Sequence, residues 1–379
     1  MSVQAAVLEP KSWTVDDFDR LGLLGKYEKP RLLAARSMLL NEENRREMGF
    51  LDLQESLGLL ESLFSYWESF SEFLLLKKED LRSGEVDYVA VKCSKRGNDV
   101  YAARLSARLG WLEDHVPNVE FFKIKDFQVD RKVSSRLLWV TLTWDTNRSS
   151  LMHAWEHLGE DFNKFVSNLK RKFGKLSIFR VWESYKNGYP HVHAVIYFHE
   201  VEFTVFPYWS SKENKLTFRV KEKAEISEGW HSHVDIQAIS STSALFNYIR
   251  KHQKNILLGL GNPSVVEADL EPEGVGLSRL RSSGIRSLAL CWLFRKRSFS
   301  VSGDFRAVLS DLISTLRNSN RRGQQDLEGG MVKEVEWSFV GIFEGERLGL
   351  PPWIWAAHVE KECVEQLLLS GGNRCDAVS

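Results

Sequence analysis

Two strand-like runs, Leu176 to Ser184 and His191 to Phe198, are separated only by Tyr185-Lys186-Asn187-Gly188-Tyr189-Pro190. Asn-Gly and Pro in so short a connector mark a tight reversal, so the two runs are expected to pair as an antiparallel hairpin. Whatever fold the chain adopts must be built around that pair. Upstream, Leu137 to Trp144 is a dense β-branched and aromatic run, suited to a central strand covered on both faces. Between them, Met152 to Phe173 places Trp155, Leu158, Phe162, Phe165 and Leu169 on one side at helical spacing and ends in Lys170-Arg171-Lys172. Leu216 to Val220 and Val234 to Ile239 read as further strands, and Thr242 to Ile256 reads as a helix. This order of elements fits an α+β class: a central antiparallel sheet flanked by helices.

A chain of 379 residues exceeds one compact core, at roughly 150 residues per domain. Residues 1–130 are expected to form a mainly helical N-terminal region. Its clearest segment runs from Leu51 to Leu76, where Leu53, Leu57, Leu60, Leu63, Phe64 and Trp67 recur at three-to-four spacing with glutamates between them. A short strand, Tyr88 to Cys93, and a helix from Asp99 to Glu113 follow. Between them, Lys92 to Asn98 is a basic turn that is either solvated or in contact with phosphate. Residues 131–258 hold the alternating strands and helices. Residues 259–284, rich in Gly, Pro, Ser and acidic side chains, read as a linker. Residues 285–379 form a C-terminal accessory region, with helices at Phe305 to Leu316 and His358 to Leu369, strand-like pieces at Cys291 to Val301 and Val335 to Phe343, and a polar loop at Asn318 to Gly330.

The net charge is zero, so no whole-protein charge argument favours nucleic acid. The distribution does. Between Arg131 and Leu260 there are 19 Lys and Arg against 12 Asp and Glu, which makes the middle basic and the flanks acidic. The four cysteines form no C-x-x-C pair, which argues against a zinc ribbon or a disulfide framework and fits a reducing cytoplasm. The most hydrophobic segment carries Asp52, Glu55, Glu61, Glu68 and Glu72, so no membrane span is expected.

The hairpin carries the chemistry. On a strand, alternate side chains share a face, so His191 and His193 point together, about 7 Å apart along the strand, while Val192 points away. Imidazole nitrogens at that spacing can converge on one cation. Glu183, near the end of the neighbouring strand, can reach the same ion across the ladder, giving a His₂Glu site with open positions for water or a phosphate oxygen. His231-Ser232-His233 repeats the spacing, but it lies beside Gly229 and Trp230 at the mouth of a strand, without an upstream carboxylate. It reads as a structural or DNA-contacting pair.

Downstream, Tyr248, Lys251 and His252 stand at i, i+3 and i+4, on one face of the expected helix. A phenol with an ordinary pKa of about 10 needs a nearby cation or base before it can attack. Lys251 can hold a phosphate or protonate the leaving oxygen.

Three motifs stand in order: Val140-Thr141-Leu142-Thr143-Trp144, then His191-Val192-His193 preceded by Trp182-Glu183, then Tyr248-Ile249-Arg250-Lys251. Together they resemble the HUH endonucleases, in particular the single-tyrosine initiators of rolling-circle plasmid and virus replication. The resemblance covers Ser134 to Asn255, about a third of the chain. It implies a ferredoxin-like or RRM-like sheet with the histidines on a central strand, and Mg²⁺ or Mn²⁺ held by Glu183, His191 and His193. Tyr248 would attack the scissile phosphate, keep the 5′ phosphate and release a 3′ hydroxyl that primes synthesis. The helix has no second tyrosine, and the chain has no G-x-x-x-x-G-K-[ST] motif, so strand opening and synthesis would fall to a host helicase and polymerase. The substrate would be single-stranded DNA at an origin, gripped by the basic Lys170, Arg171 and Lys172 and stacked on Tyr189, Trp230 and Trp144. Arg279, Arg281, Arg286, Arg295, Lys296 and Arg297 could bind origin duplex or fellow protomers, or form a solvated face. A transposase, a relaxase or an inactive DNA-binding protein are the alternative readings. The tyrosine follows the histidines here, whereas the commonest relaxases place it before them.

Overall fold

Gly188 adopts φ +87°, and the reversal closes with Tyr185 N–H donating to Tyr189 O at 2.9 Å and Gly188 N–H donating to Tyr185 O at 2.9 Å. The hairpin therefore forms where the Asn-Gly signal puts it. The computed structural model describes residues 13–25, 30–95, 98–101, 103–104, 133–211, 215–239, 277–303 and 335–369. Its helices are α1 (Val15–Arg20), α2 (Leu32–Leu40), α3 (Glu42–Glu47), α4 (Leu57–Ser69), α5 (Leu151–Phe173), α6 (Lys223–Ser227), α7 (Leu277–Leu293) and α8 (Lys361–Leu369). The strands are β1 (Glu72–Asp80), β2 (Val86–Lys92), β3 (Val133–Ser135), β4 (Leu137–Thr143), β5 (Leu176–Ser184), β6 (Pro190–Phe198), β7 (Phe203–Ser210), β8 (Lys215–Val220), β9 (Val234–Ala238), β10 (Phe299–Ser302), β11 (Val335–Glu344) and β12 (Ala356–Val359). This is the expected α+β architecture. The chain divides into two compact units, Met1–Phe64 with Leu105–Ile313, and Ser65–Arg104 with Ser314–Ser379.

The first unit is organised on an eight-stranded antiparallel sheet in the order β10-β5-β6-β4-β9-β8-β7-β3. Its two faces differ chemically. Leu138, Val140 and Leu142 on β4, with Val192, Ala194 and Ile196 on β6, are buried and lie on the face packed by α5, where Phe162 meets Trp182 at 5.3 Å and Phe173 meets Phe198 at 5.8 Å. Helix α5 forms because its apolar residues recur on one side, and it starts at an N-cap, Ser150, whose hydroxyl accepts from His153 N–H. The opposite face takes the alternate residues: Glu183, His191, His193, Thr141 and Asp235. Burying the apolar row is what fixes which way the polar row points, since a slip of one residue would exchange the faces.

The second unit has a four-stranded sheet, β11-β1-β2-β12, whose core joins Phe73, Leu75, Ala90, Phe343, Val359, Val364 and Leu367. Here the sequence reading needs correction. The helical run expected from Leu51 to Leu76 ends at Ser69, and Glu72 to Asp80 is a strand. Phe73 and Leu75 point into one core because an alternating pattern takes over from the helical one. The turn after β2 is not a solvated or phosphate-facing basic loop at its two lysines. Lys92 Nζ donates to Asp99 Oδ1 and Oδ2 at 2.8 and 2.9 Å, and Lys95 Nζ donates to Phe70 O at 2.6 Å and lies 3.1 Å from Glu72 Oε2. Beside them Glu68 is pushed up to about 7, chiefly by burial. Cys291 and Trp292 end α7 and do not begin a strand, and α8 begins at Lys361 because Ala356 to Val359 pairs with β2. Helix α7 takes in residues from Leu277, within the stretch read as linker. The expected helices at Thr242 to Ile256 and Phe305 to Leu316, and the loop at Asn318 to Gly330, lie outside the described residues, as does most of Asp99 to Glu113.

Candidate metal centre

Register decides the site. Glu183 stands directly opposite His191 in the β5–β6 ladder, and His193 stands opposite Val181 on one side and Thr141 of β4 on the other. The two histidines and the glutamate therefore project from one face of adjacent strands. Each offers one ligand atom, and the three atoms lie within 4.8 Å of one another. His193 Nε2 is 3.3 Å from Glu183 Oε2. Donors bound to a common ion at about 2.1 Å sit roughly 3 Å apart, so only a slight closure would seat one. Two imidazole nitrogens and a carboxylate oxygen suit a divalent cation, and the half-buried setting leaves room for further ligands. Glu183, His191 and His193 can hold a metal ion.

The surrounding groups orient these ligands. Thr141 Oγ1 accepts from Trp139 Nε1 at 2.9 Å and lies 3.1 Å from His193 Nδ1. When Nδ1 carries the proton and donates to Thr141, the Nε2 lone pair is directed toward Glu183 and any shared ion. His191 stacks on Tyr185 with ring centroids 4.3 Å apart and planes 13° from parallel. Burial, and after it the charge of Glu183, pushes the Tyr185 phenol up, so this ring stays neutral.

The hairpin turn is held from several directions. Trp155 Nε1 donates to Gly188 O at 2.8 Å, and Tyr189 Oη donates to Ser149 O at 2.9 Å. Ser184 N–H donates to Ser287 Oγ at 3.0 Å, and Arg286 of α7 donates to Glu61 and to Lys186 O. These braces tie the end of β5, next to Glu183, to helices far away in the sequence.

Several expected DNA contacts sit elsewhere. Tyr189 and Trp230 are each only 8% exposed, and the Trp230 indole donates to Thr143 O at 2.8 Å, so neither ring presents a face to a base. Trp144 is buried as well. Lys170, Arg171 and Lys172 end α5, on the face of the sheet opposite the metal centre, where Lys172 pairs with Glu228 at 2.7 Å and Arg171 donates to Asn168 at 2.5 Å. Arg286 serves as a brace and Lys296 donates to Glu156 O at 3.0 Å, so these two are not part of a free basic face. Tyr248 and Lys251 lie outside the described residues. What the sequence reading missed were Trp139, Tyr185, Arg286 and Ser287. Alternation along β4 from Thr141 would have located Trp139, and adjacency to Glu183 would have drawn attention to Tyr185. Nothing local marks the α7 residues.

Residues 137–254 match the model of the replication-associated protein ORF2 family. The match spans the strands that carry the metal centre. It supports a replication initiator and makes DNA the partner to expect. No curated protein and no solved structure gives a significant match. Among the described residues no helix is long and apolar enough to cross a membrane.

Proposed function

We propose that the protein is a rolling-circle replication initiator of the HUH endonuclease type, which nicks and rejoins single-stranded DNA at an origin. The observation that carries this reading is the convergence of Glu183, His191 and His193 on one sheet face, inside the segment that matches a replication-associated family. The ion is Mg²⁺ or Mn²⁺, and when bound it would polarise the phosphate oxygens and offset the charge that builds on them. Thr141 and Trp139 orient His193, and Tyr185 packs on His191, so the ligands are preorganised before DNA arrives. The Tyr248 phenolate attacks the scissile phosphorus, the P–O3′ bond breaks, and the 3′ oxygen takes a proton, for which Lys251 is the donor. The 5′ phosphate stays on the tyrosine, and the free 3′ hydroxyl primes synthesis by a host polymerase behind a host helicase. Reversal of the same step rejoins the strand.

A pool of random-sequence single-stranded oligonucleotides, labelled at the 3′ end and incubated with Mn²⁺, tests this on a denaturing gel. A 5′-phosphotyrosine retains the 3′ label on the protein. The wild type should form the adduct, and neither Tyr248→Phe nor wild type with EDTA should. An adduct that persists in Tyr248→Phe would remove the nucleophile assignment, and one that survives EDTA would remove the metal.

A further inference from the structure

The face that carries the metal centre continues across the sheet. Thr141 on β4 is paired with Asp235 on β9, Trp139 with Gln237, Gln237 with Arg219 on β8, and Arg219 with Phe206 on β7. By alternation Tyr208 shares that face with Phe206, whereas Trp209 points to the other. Four strand spacings separate β6 from β7, roughly 19 Å at ~4.8 Å per strand. At the far end the chemistry changes from polar to aromatic: Phe206 is 44% exposed and Tyr208 is 49% exposed. β3 pairs with β7 only at Phe203, Thr204 and Val205, so the exposed rings stand where the strand has no outer neighbour among the described residues. The Arg219 guanidinium lies 5.3 Å from the centre of the Tyr208 ring and is itself anchored by Asp235, which also accepts from Gln237 at 2.8 Å. Burial alone would raise the Asp235 carboxyl, but Gln237 and Arg219 more than offset it and hold the group below its usual value.

Exposed aromatic rings on a strand lose packing energy unless something covers them. Between Phe203 and Lys223 the sequence has five Lys and Arg against two Glu, so the covering partner should be anionic as well as flat. Unpaired nucleobases meet both demands: they stack on aromatic faces and carry a phosphate backbone, and a duplex, with its bases already stacked, does not. We infer that the β7–β8 hairpin is a second grip on single-stranded DNA, in which Phe206 and Tyr208 stack bases of the strand whose phosphate lies at the metal centre. The inference rests on the nuclease reading for the identity of the strand. It assigns to this hairpin the stacking role that the buried Tyr189 and Trp230 cannot fill.

Fluorescence anisotropy of labelled oligothymidylate with the full chain in EDTA measures the grip without nicking. Phe206→Ala combined with Tyr208→Ala should weaken binding by about tenfold or more, since each stacked base contributes about 1–3 kcal/mol. Trp209→Ala, on the other face, should change it less than twofold, and a duplex of equal length should bind equally to all three proteins. Unchanged melting temperatures would show that the fold is intact. Wild-type affinity in the double variant, or an equal loss in Trp209→Ala, would overturn the assignment. The adduct assay separates the two claims: oligothymidylate binding that depends on Phe206 and Tyr208 without any covalent adduct would remove the nuclease reading and leave the hairpin surface standing.

Discussion

His191-Val192-His193 and His231-Ser232-His233 have the same spacing, and each follows a glycine at positive φ, Gly188 at +87° and Gly229 at +89°. Their fates differ. The first pair lies within β6, flanked by β5 and β4, and meets Glu183 across the ladder. The second lies in the bend before β9. There His231 packs at 4.3 Å from Trp144 and 4.6 Å from Trp230, and its Nε2 is 3.6 Å from Asp161. Neither His231 ring nitrogen has a hydrogen-bond partner among the described residues. His233 is exposed and contributes its carbonyl, which accepts from Thr143. Spacing alone therefore does not make a metal site. A third donor supplied by strand register does, together with neighbours that point the rings outward and do not bury them.

The largest effect should come from the ligands. His191→Ala or His193→Ala is expected to weaken Mn²⁺ binding by at least about 100-fold, the upper end of the loss that changes to groups around a site already cause. His231→Ala combined with His233→Ala should leave Mn²⁺ affinity within about threefold, as titration calorimetry on both proteins would read. Equal losses in the two pairs would erase the distinction.

The glycines sharpen the same contrast. An alanine at position 188 would bring its Cβ within 2.7 Å of Leu57 Cδ1 and 3.1 Å of Leu151 Cδ2, and one at position 229 would collide with Asn168 Nδ2. Both backbones disfavour a side chain, so each substitution should cost about 1–3 kcal/mol of stability. Gly188→Ala should also lower Mn²⁺ affinity, because the turn sets the pairing of Glu183 with His191, and Gly229→Ala should not. Thermal melts paired with Mn²⁺ titrations would check this, and a Gly229→Ala protein with impaired Mn²⁺ binding would contradict it.

Much of this contrast was legible before any coordinates. The Asn-Gly signal gave the hairpin, strand alternation put His191 and His193 on one face, and the absence of an upstream carboxylate told against His231 and His233. Stacking by Tyr189 and Trp230 was not readable, because exposure is a property of tertiary packing: an aromatic beside a turn looks alike whether it caps the core or faces solvent. The exposed rings, Phe206 and Tyr208, sit in an ordinary strand run that gives no local hint of exposure. Leu51 to Leu76 failed for a different reason. Leu74-Leu75-Leu76 continues a helical pattern by hydrophobicity, and only pairing with β2 and β11 makes it a strand. The α7 braces act across about a hundred residues of sequence, beyond any window in which a pattern can appear.

A smaller effect isolates the groups behind the ligands. Thr141→Val keeps the shape of the side chain and removes the hydroxyl that lies 3.1 Å from His193 Nδ1. Mn²⁺ affinity should fall by about tenfold, and Thr141→Ser should restore it. Loss in both variants would mean that packing, and not the hydrogen bond, is what matters there.

The smallest effect belongs to the second pair and reads its burial. The His231 pKa is lowered, first by burial and then by the charge of Arg148, with Asp161 and Asp145 acting in the opposite sense. An unfolded histidine titrates near pH 6.5, so on acidification the unfolded chain takes up the proton before the folded one does. The stability linked to His231 is therefore complete above about pH 6.5 and is lost as pH falls from there through the folded value. His231→Gln removes that titration. Between about pH 7.5 and 5.5 its Tm should fall less than that of the wild type, and Mn²⁺ should leave the difference unchanged because no ion sits on this pair. A variant whose Tm falls as steeply as the wild type would show that His231 is already solvated, and the contrast with His191 and His193 would then rest on Glu183 alone.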